Sequence, residues 1–309
     1  MALVVDEPKS SAVWIGYVLA ATGAFLFATK SIIIKLAYAE GVDAETLLAL
    51  RMAMSLPFYL IIGLWGVWSE RAEPAPVVPR RKAIIQAAFI GLLGYWFSSY
   101  ADFKGLEYIS AQFERLILFT YPLFVVLIGA AFFKQPVRAR ALLAFVVSYA
   151  GLAMIFTQDF AASGSTALYG CLWVLAAAIA FGLYQLLARE IIATLGPRLF
   201  TCIAMSAASV AAIAQYLLLH PIEPLSARVL WLGVVIAIAA TVLPSFFMNA
   251  ALSRISAQAN ATVSTMSPVG TIVLAVVVLG DHLTTVDVVG SALVLLGVGF
   301  FTLANRAQA

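Results

Sequence analysis

Apolar residues run through this chain in long stretches, separated by short polar or proline-containing breaks. Cutting at those breaks leaves ten segments, near 13–36, 46–68, 83–103, 110–133, 139–158, 168–188, 198–219, 227–250, 255–279 and 284–304. Each is long enough for an α-helix to cross the hydrocarbon core, which takes about 20 apolar residues for roughly 30 Å. The stretches are continuously apolar rather than alternating, and about twice as long as a membrane strand, so a β-barrel is excluded. The pattern predicts an all-α integral membrane protein with ten transmembrane helices.

Composition strengthens that reading. Of the 309 residues, 63% are hydrophobic and 11% charged, with a mean hydropathy of +1.02; a soluble domain carries about 45–50% apolar and about 25% charged residues. A net charge of +3, scattered along the chain, excludes a nucleic-acid surface. Cys171 and Cys202 lie inside apolar stretches and read as packing residues rather than a disulfide. Residues 1–12 carry Asp6, Glu7 and Lys9 and lack the basic region and cleavage site of a signal peptide, so they are expected to remain as a cytoplasmic tail.

The placement of cations orients the spans. With both termini cytoplasmic, Lys9, Arg71, Arg80, Arg81, Lys82, Lys134, Arg138, Arg140, Arg189, Arg198, Arg254 and Arg306 fall on the cytoplasmic side. Only Lys35, Lys104 and Arg228 fall outside, and Lys30, Arg51 and Arg115 lie within spans. Lys and Arg favour cytoplasmic loops, so the asymmetry supports ten spans in a bacterial inner membrane. Trp14, Trp65, Trp68 and Trp231 stand at span ends, as an interfacial belt requires.

An internal repeat runs through the pattern. At an offset of 146 residues, Ile109-Ser110-Ala111-Gln112 matches Ile255-Ser256-Ala257-Gln258, and Ser99, Leu106, Pro122 and Gly151 match Ser245, Leu252, Pro268 and Gly297. The first and sixth segments match at 154, pairing Gly16, Ala24, Phe27 and Lys35 with Gly170, Ala178, Phe181 and Arg189. The chain therefore divides into a five-helix unit at 13–158 and a second at 168–304. Five is odd, so the second unit enters the membrane from the opposite face, an inverted repeat of the kind transporters use for alternating access.

Five stretches carry a resemblance: FATKSIIIKL from Phe27 to Leu36, LALRM from Leu48 to Met52, LEYISAQ from Leu106 to Gln112, Tyr121-Pro122, and ISAQANATVSTMSPV in the second unit. Together with the Gly290 to Gly299 tail helix, they resemble the drug/metabolite transporter superfamily in its ten-helix EamA form, over about residues 13–304. That resemblance implies a metabolite transporter. The aromatic-rich third helix and the cation in the first are similar to the family's aromatic amino acid exporters. The short four-helix relatives couple protons to cationic drugs through an acid in helix one, where this chain has Lys30 and no acid.

Ionisable groups inside a span cost at least about 2.5–3.5 kcal/mol each and are functional candidates by default. Lys30, Arg51, Glu114 and Arg115 all fall in the outer half of the membrane. Glu114 pairing with Lys30 or Arg51 is the structural alternative to a substrate role. Tyr95, Ser98, Ser99 and Asp102 form one polar stripe at helical spacing, flanked by Trp96 and Tyr100. Asn260, Ser264, Ser267 and Thr271 form another, beside Pro268, which like Pro122 would free a backbone carbonyl. Each hydroxyl alone could equally serve interhelical hydrogen bonding. Two such stripes point to a cavity.

A cavity lined by Phe27, Trp96, Tyr100, Trp173 and Tyr184, with Tyr95, Ser99, Ser245, Asn260 and Ser264 as polar groups, suits a neutral amino acid. Rings would stack and Lys30 or Arg115 would take the carboxylate. Catalytic patterns are lacking: His220 and His282 lie in outer loops, and neither HExxH, GxSxG nor a phosphate loop occurs. The expectation is a transporter exporting amino acids, with no cofactor, no metal and no enzymatic activity. The expected partners are a small-molecule substrate and the lipid bilayer, with no nucleic acid; the sequence leaves the oligomeric state open, a monomer being one option. A multidrug or nucleoside exporter, or an intramembrane lipid-modifying enzyme, remains the alternative.

Overall fold

The computed structural model describes residues 10–69, 80–133, 139–221, 224–252, 254–255, 263 and 266–304, and among them all regular structure is helical. Among the described residues, seven helical stretches are long and apolar enough to cross a membrane, Trp14–Tyr38, Ala44–Gly66, Arg81–Leu106, Ala111–Phe132, Ser165–Ala188, Pro197–Leu219 and Ala227–Met248, and Val146–Gln158, Met266–Leu279 and Thr285–Phe300 are shorter apolar helices. The chain is thus a multi-pass membrane protein.

In chain order the helices are α1 (Ser10–Tyr38), α2 (Ala44–Ser69), α3 (Arg80–Gly91), α4 (Ser98–Leu106), α5 (Ala111–Leu118), α6 (Tyr121–Phe133), α7 (Ala139–Ser163), α8 (Ser165–Leu195), α9 (Pro197–Leu219), α10 (Ala227–Ala237), α11 (Leu243–Leu252), α12 (Met266–Leu274) and α13 (Thr285–Ala304). A π-helical turn at Leu92–Phe97 joins α3 to α4, and another at Ile238–Val242 joins α10 to α11. A third, Ala275–Leu279, ends α12 at Gly280, whose φ of 73° suits a residue without Cβ. The first two π turns begin 146 residues apart, and so do α7 and α13.

Close packing rests on small residues. The backbone of Gly91 lies directly against that of Ala204, Gly94 against the ring of Tyr184, and Gly151 on α7 against Gly290 on α13. A Cβ at any of these would collide, so the helices approach as near as glycine allows. The faces turned outward stay apolar: Trp14 is 69% exposed, Leu64 72% and Leu218 84%. In water such a surface would aggregate; against lipid tails it is solvated.

Two details depart from the sequence pattern. The segment expected as one helix over 110–133 is interrupted: α5 ends at Leu118, Thr120 Oγ1 donates to the Ile117 carbonyl at 2.6 Å, and α6 starts at Tyr121. Pro122 therefore sits in the first turn of a new helix, where its missing N–H costs little, instead of kinking a continuous one. The third segment, expected to stop near 103, runs on to Leu106 and carries Asp102 into the interior.

Candidate functional site

The polar residues inside the bundle converge where α1, α4 and α5 meet. Lys30 on α1 forms an ion pair with Asp102 Oδ2 on α4 at 2.5 Å. One residue on, Ser31 Oγ donates to Glu114 Oε2 on α5 at 2.5 Å and accepts from Arg115 Nη2 at 2.8 Å. Arg115 Nη2 also donates to the Phe27 carbonyl, one helical turn before Ser31, at 3.0 Å. Arg51 on α2 lies over the Phe103 ring, 4.8 Å from its centroid. Glu114 is fully buried, and Asp102, Arg51 and Arg115 are 6% exposed or less.

Local structure explains the convergence. Ser110 Oγ accepts from the Phe113 N–H and caps α5, fixing Glu114 and Arg115 in its first turns. As neighbours on a helix, they reach toward α1 from adjacent angles and share Ser31. The cluster holds three cations (Lys30, Arg51, Arg115) and two carboxylates (Asp102, Glu114). Among the described residues, Arg51 Nε and Arg115 Nε face no acceptor, and Asp102 Oδ1 and Glu114 Oε1 face no donor. Buried charge left partly unsatisfied is costly, so the arrangement is polarised for something to enter or change.

The aromatic candidates form separate sets. Tyr100 meets Trp173 on α8 edge-on, at 5.7 Å between centroids, and Trp173 meets Tyr169. Tyr100 also donates to Glu45 Oε1 at 3.0 Å. Tyr95 and Tyr184 share a hydroxyl contact of 2.9 Å, and Tyr184 stacks on Phe181 at 5.4 Å. Trp96 Nε1 donates to Gln215 Oε1 on α9 at 2.7 Å. Ser245 Oγ donates to the Thr241 carbonyl and touches the Tyr59 hydroxyl at 3.4 Å.

Ion pairs tie the loop ends beside the cluster. Lys104 bridges Glu107 at 2.9 Å and Glu45 at 3.6 Å, while Glu107 Oε1 accepts from the Ala44 N–H at 2.9 Å. Arg228 meets Glu40 at 3.1 Å, and His220 meets Asp43 at 3.7 Å. Asp43, Glu45 and His220 bring ligand atoms within 4.8 Å of one another. Their present partners are protein groups, since Asp43 Oδ1 accepts from the Thr46 N–H and Glu45 holds Tyr100 and Lys104.

Of the residues singled out in the sequence, Lys30, Phe27 and Arg115 are brought together; Tyr95 and Tyr184 are neighbours, as are Tyr100 and Trp173. Trp96 is tied to α9, Ser245 stands apart beside Tyr59, Ser99 is half-buried on α4, and Asn260 and Ser264 lie outside the described residues. The pairing expected for Glu114, with Lys30 or Arg51, is replaced by Ser31, because Asp102 reaches Lys30 first and Arg51 packs on Phe103. The stripe on the third segment divides: Tyr95 and Ser98, which donates to the Ala177 carbonyl at 3.0 Å, face α8, whereas Asp102 faces α1. Ser31, Gln215 and Glu45 were not among the candidate site residues; Ser31 carried a signal in adjoining Lys30.

Comparison with known proteins agrees with this architecture. A curated relative, the "Uncharacterized transporter YcbK" of Bacillus subtilis (strain 168), is 27% identical over 288 residues, covering 89% of this chain and 88% of its own. A solved structure described as "Crystal structure of protein" superposes with a TM-score of 0.63 over 97% of this chain and 100% of its own, at 18% identity, which speaks to the fold alone. The EamA-like transporter family matches the chain twice, over residues 14–157 and 168–303. The chain belongs to the EamA-like transporter family, within the drug/metabolite transporter superfamily.

Proposed function

We propose that the protein exports neutral amino acids, aromatic ones among them, across a bacterial inner membrane by alternating access between two inverted five-helix units, 13–158 and 168–304. Two family matches with nearly those limits support the duplication, as do the two π turns and the starts of α7 and α13, each pair 146 residues apart. Ten spans with both termini cytoplasmic follow from the cation asymmetry. The aromatic third helix and the first-helix cation resemble the bacterial aromatic amino acid exporter YddG.

The observation that carries the substrate reading is charge. Three cations, of which Arg51 and Arg115 are buried, against two buried carboxylates leave the cluster positive, and Tyr100 lies on the same helix as Asp102 with its ring against Trp173. A substrate carboxylate would be paired there, where an amine lacking one would add repulsion. In this reading Lys30 and Arg115 meet the carboxylate, Phe27, Trp96, Tyr100, Trp173 and Tyr184 shape the apolar part, and Tyr95, Ser99, Ser245, Asn260 and Ser264 line the path. The protein works as a monomer, without cofactor and without catalysis.

Counterflow in proteoliposomes loaded with unlabelled phenylalanine tests this. Labelled phenylalanine or leucine should accumulate, whereas phenethylamine and uridine should not. Uptake of uridine or of cationic drugs in preference to phenylalanine would replace the amino acid reading with a nucleoside or multidrug carrier.

A further inference from the structure

The two buried carboxyl groups of the cluster raise a question that ion pairing leaves open. Asp102 uses Oδ2 for Lys30 and Glu114 uses Oε2 for Ser31, which leaves Oδ1 and Oε1 buried without a donor. Lys30 and Ser31 are consecutive on α1, so the acids they hold meet that helix at neighbouring positions. Two ionised carboxylates so placed repel, and in an apolar interior neither lone pair is hydrated; one proton between them removes both problems.

We propose that Asp102 and Glu114 hold a single exchangeable proton between them, forming the proton-binding site of this transporter. The equilibrium is a carboxylic acid and a carboxylate going to two carboxylates with release of one proton to water, through whichever side the cycle has opened.

The surroundings set the linkage. Lys30 and Lys35 face the pair from α1, Arg51 from α2 and Arg115 from α5, with the Tyr38 hydroxyl beyond Asp102. Helix α8 over Ser165–Ala188, α12, and α7 between Leu142 and Thr157 bring no charged residue. When the pair binds its proton, Asp102 loosens its hold on Lys30 and the cluster gains one positive charge. On the amino acid reading, which this step rests on, proton and substrate carboxylate therefore bind cooperatively, and affinity rises as pH falls. Placing the acids on α4 and α5, with cations on α1, differs from an acid in the first helix that binds a cationic drug directly.

Infrared difference spectroscopy of the purified protein in lipid vesicles, titrated with acid, reads the proton without any substrate. Wild type should show the carbonyl stretch of a buried carboxylic acid that shifts in heavy water, and both Glu114→Gln and Asp102→Asn should lose it. Gln keeps the acceptor for Ser31 and supplies an N–H toward Asp102, so Glu114→Gln should fold; Asp102→Asn provides the same test if it does not. A band that survives in both variants, or no titrating band in wild type, overturns the proposal. Phenylalanine binding is then measured against pH: at least a tenfold gain on acidification in wild type, flattened in Glu114→Gln, is expected. Wild-type pH dependence in Glu114→Gln would overturn the linkage. Absence of phenylalanine binding alongside an intact titrating band would instead refute the amino acid reading and leave the proton site standing.

Discussion

At the scale of single residues, the chemistry is concentrated in two adjoining positions on α1. Lys30 and Ser31 each hold a carboxylate from a different helix, and Arg115 reaches back to both Ser31 and the Phe27 carbonyl. Removing one member of a buried pair costs more than removing both, because the survivor keeps its desolvation penalty without compensation. Lys30→Met should therefore lower stability by about 3–5 kcal/mol, and Lys30→Met with Asp102→Asn should recover most of that loss. Thermal unfolding of the two variants and the Asp102→Asn single variant closes the cycle; additive losses would mean that Lys30 and Asp102 are not coupled. Intramembrane charge was legible from the sequence, since any such residue stands out against an apolar background. Partner choice was not: Asp102 lay at the predicted end of a span that runs three residues further, to Leu106. Pairing across helices depends on rotation and register, which apolar periodicity leaves free.

Among elements, helix approach is set by glycines. Gly91 is the sharpest case, because a Cβ there would meet the backbone of Ala204 and not the end of a flexible side chain. Gly91→Ala should destabilise by about 1–3 kcal/mol through overpacking, whereas Gly299→Ala, with nothing within 4 Å, should leave the melting temperature unchanged or slightly raised. A melting temperature for Gly91→Ala equal to that of wild type would mean that α3 and α9 pack less closely than described. Helix existence could be read from unbroken apolar length. The break at 119–120 and the π turn at 92–97 could not, since both insert local geometry without interrupting the apolar run.

Over the whole molecule, membrane residence follows from composition, and the gap-free offset of 146 in the sequence also relates the starts of the two π turns. The loop ends are tied by Glu40–Arg228, Asp43–His220 and Lys104–Glu45, contacts between distant segments that no local pattern announces. Reporters fused after Ala309 and within 69–82 should both read cytoplasmic, while a cysteine at Gly41 should label from outside; a periplasmic signal from either fusion contradicts ten spans. The central claim, that the cluster and the aromatic candidates form a path for amino acids, is tested most directly by phenylalanine counterflow into proteoliposomes. Wild type should be compared with Trp96→Ala, Tyr100→Ala and Trp65→Ala. Trp96 and Tyr100 are hydrogen-bonded inside the bundle, whereas Trp65 is 63% exposed at a span end. Counterflow should fall at least tenfold in the first two at unchanged membrane insertion and stay at the wild-type rate in Trp65→Ala; equal rates in all three variants would contradict it.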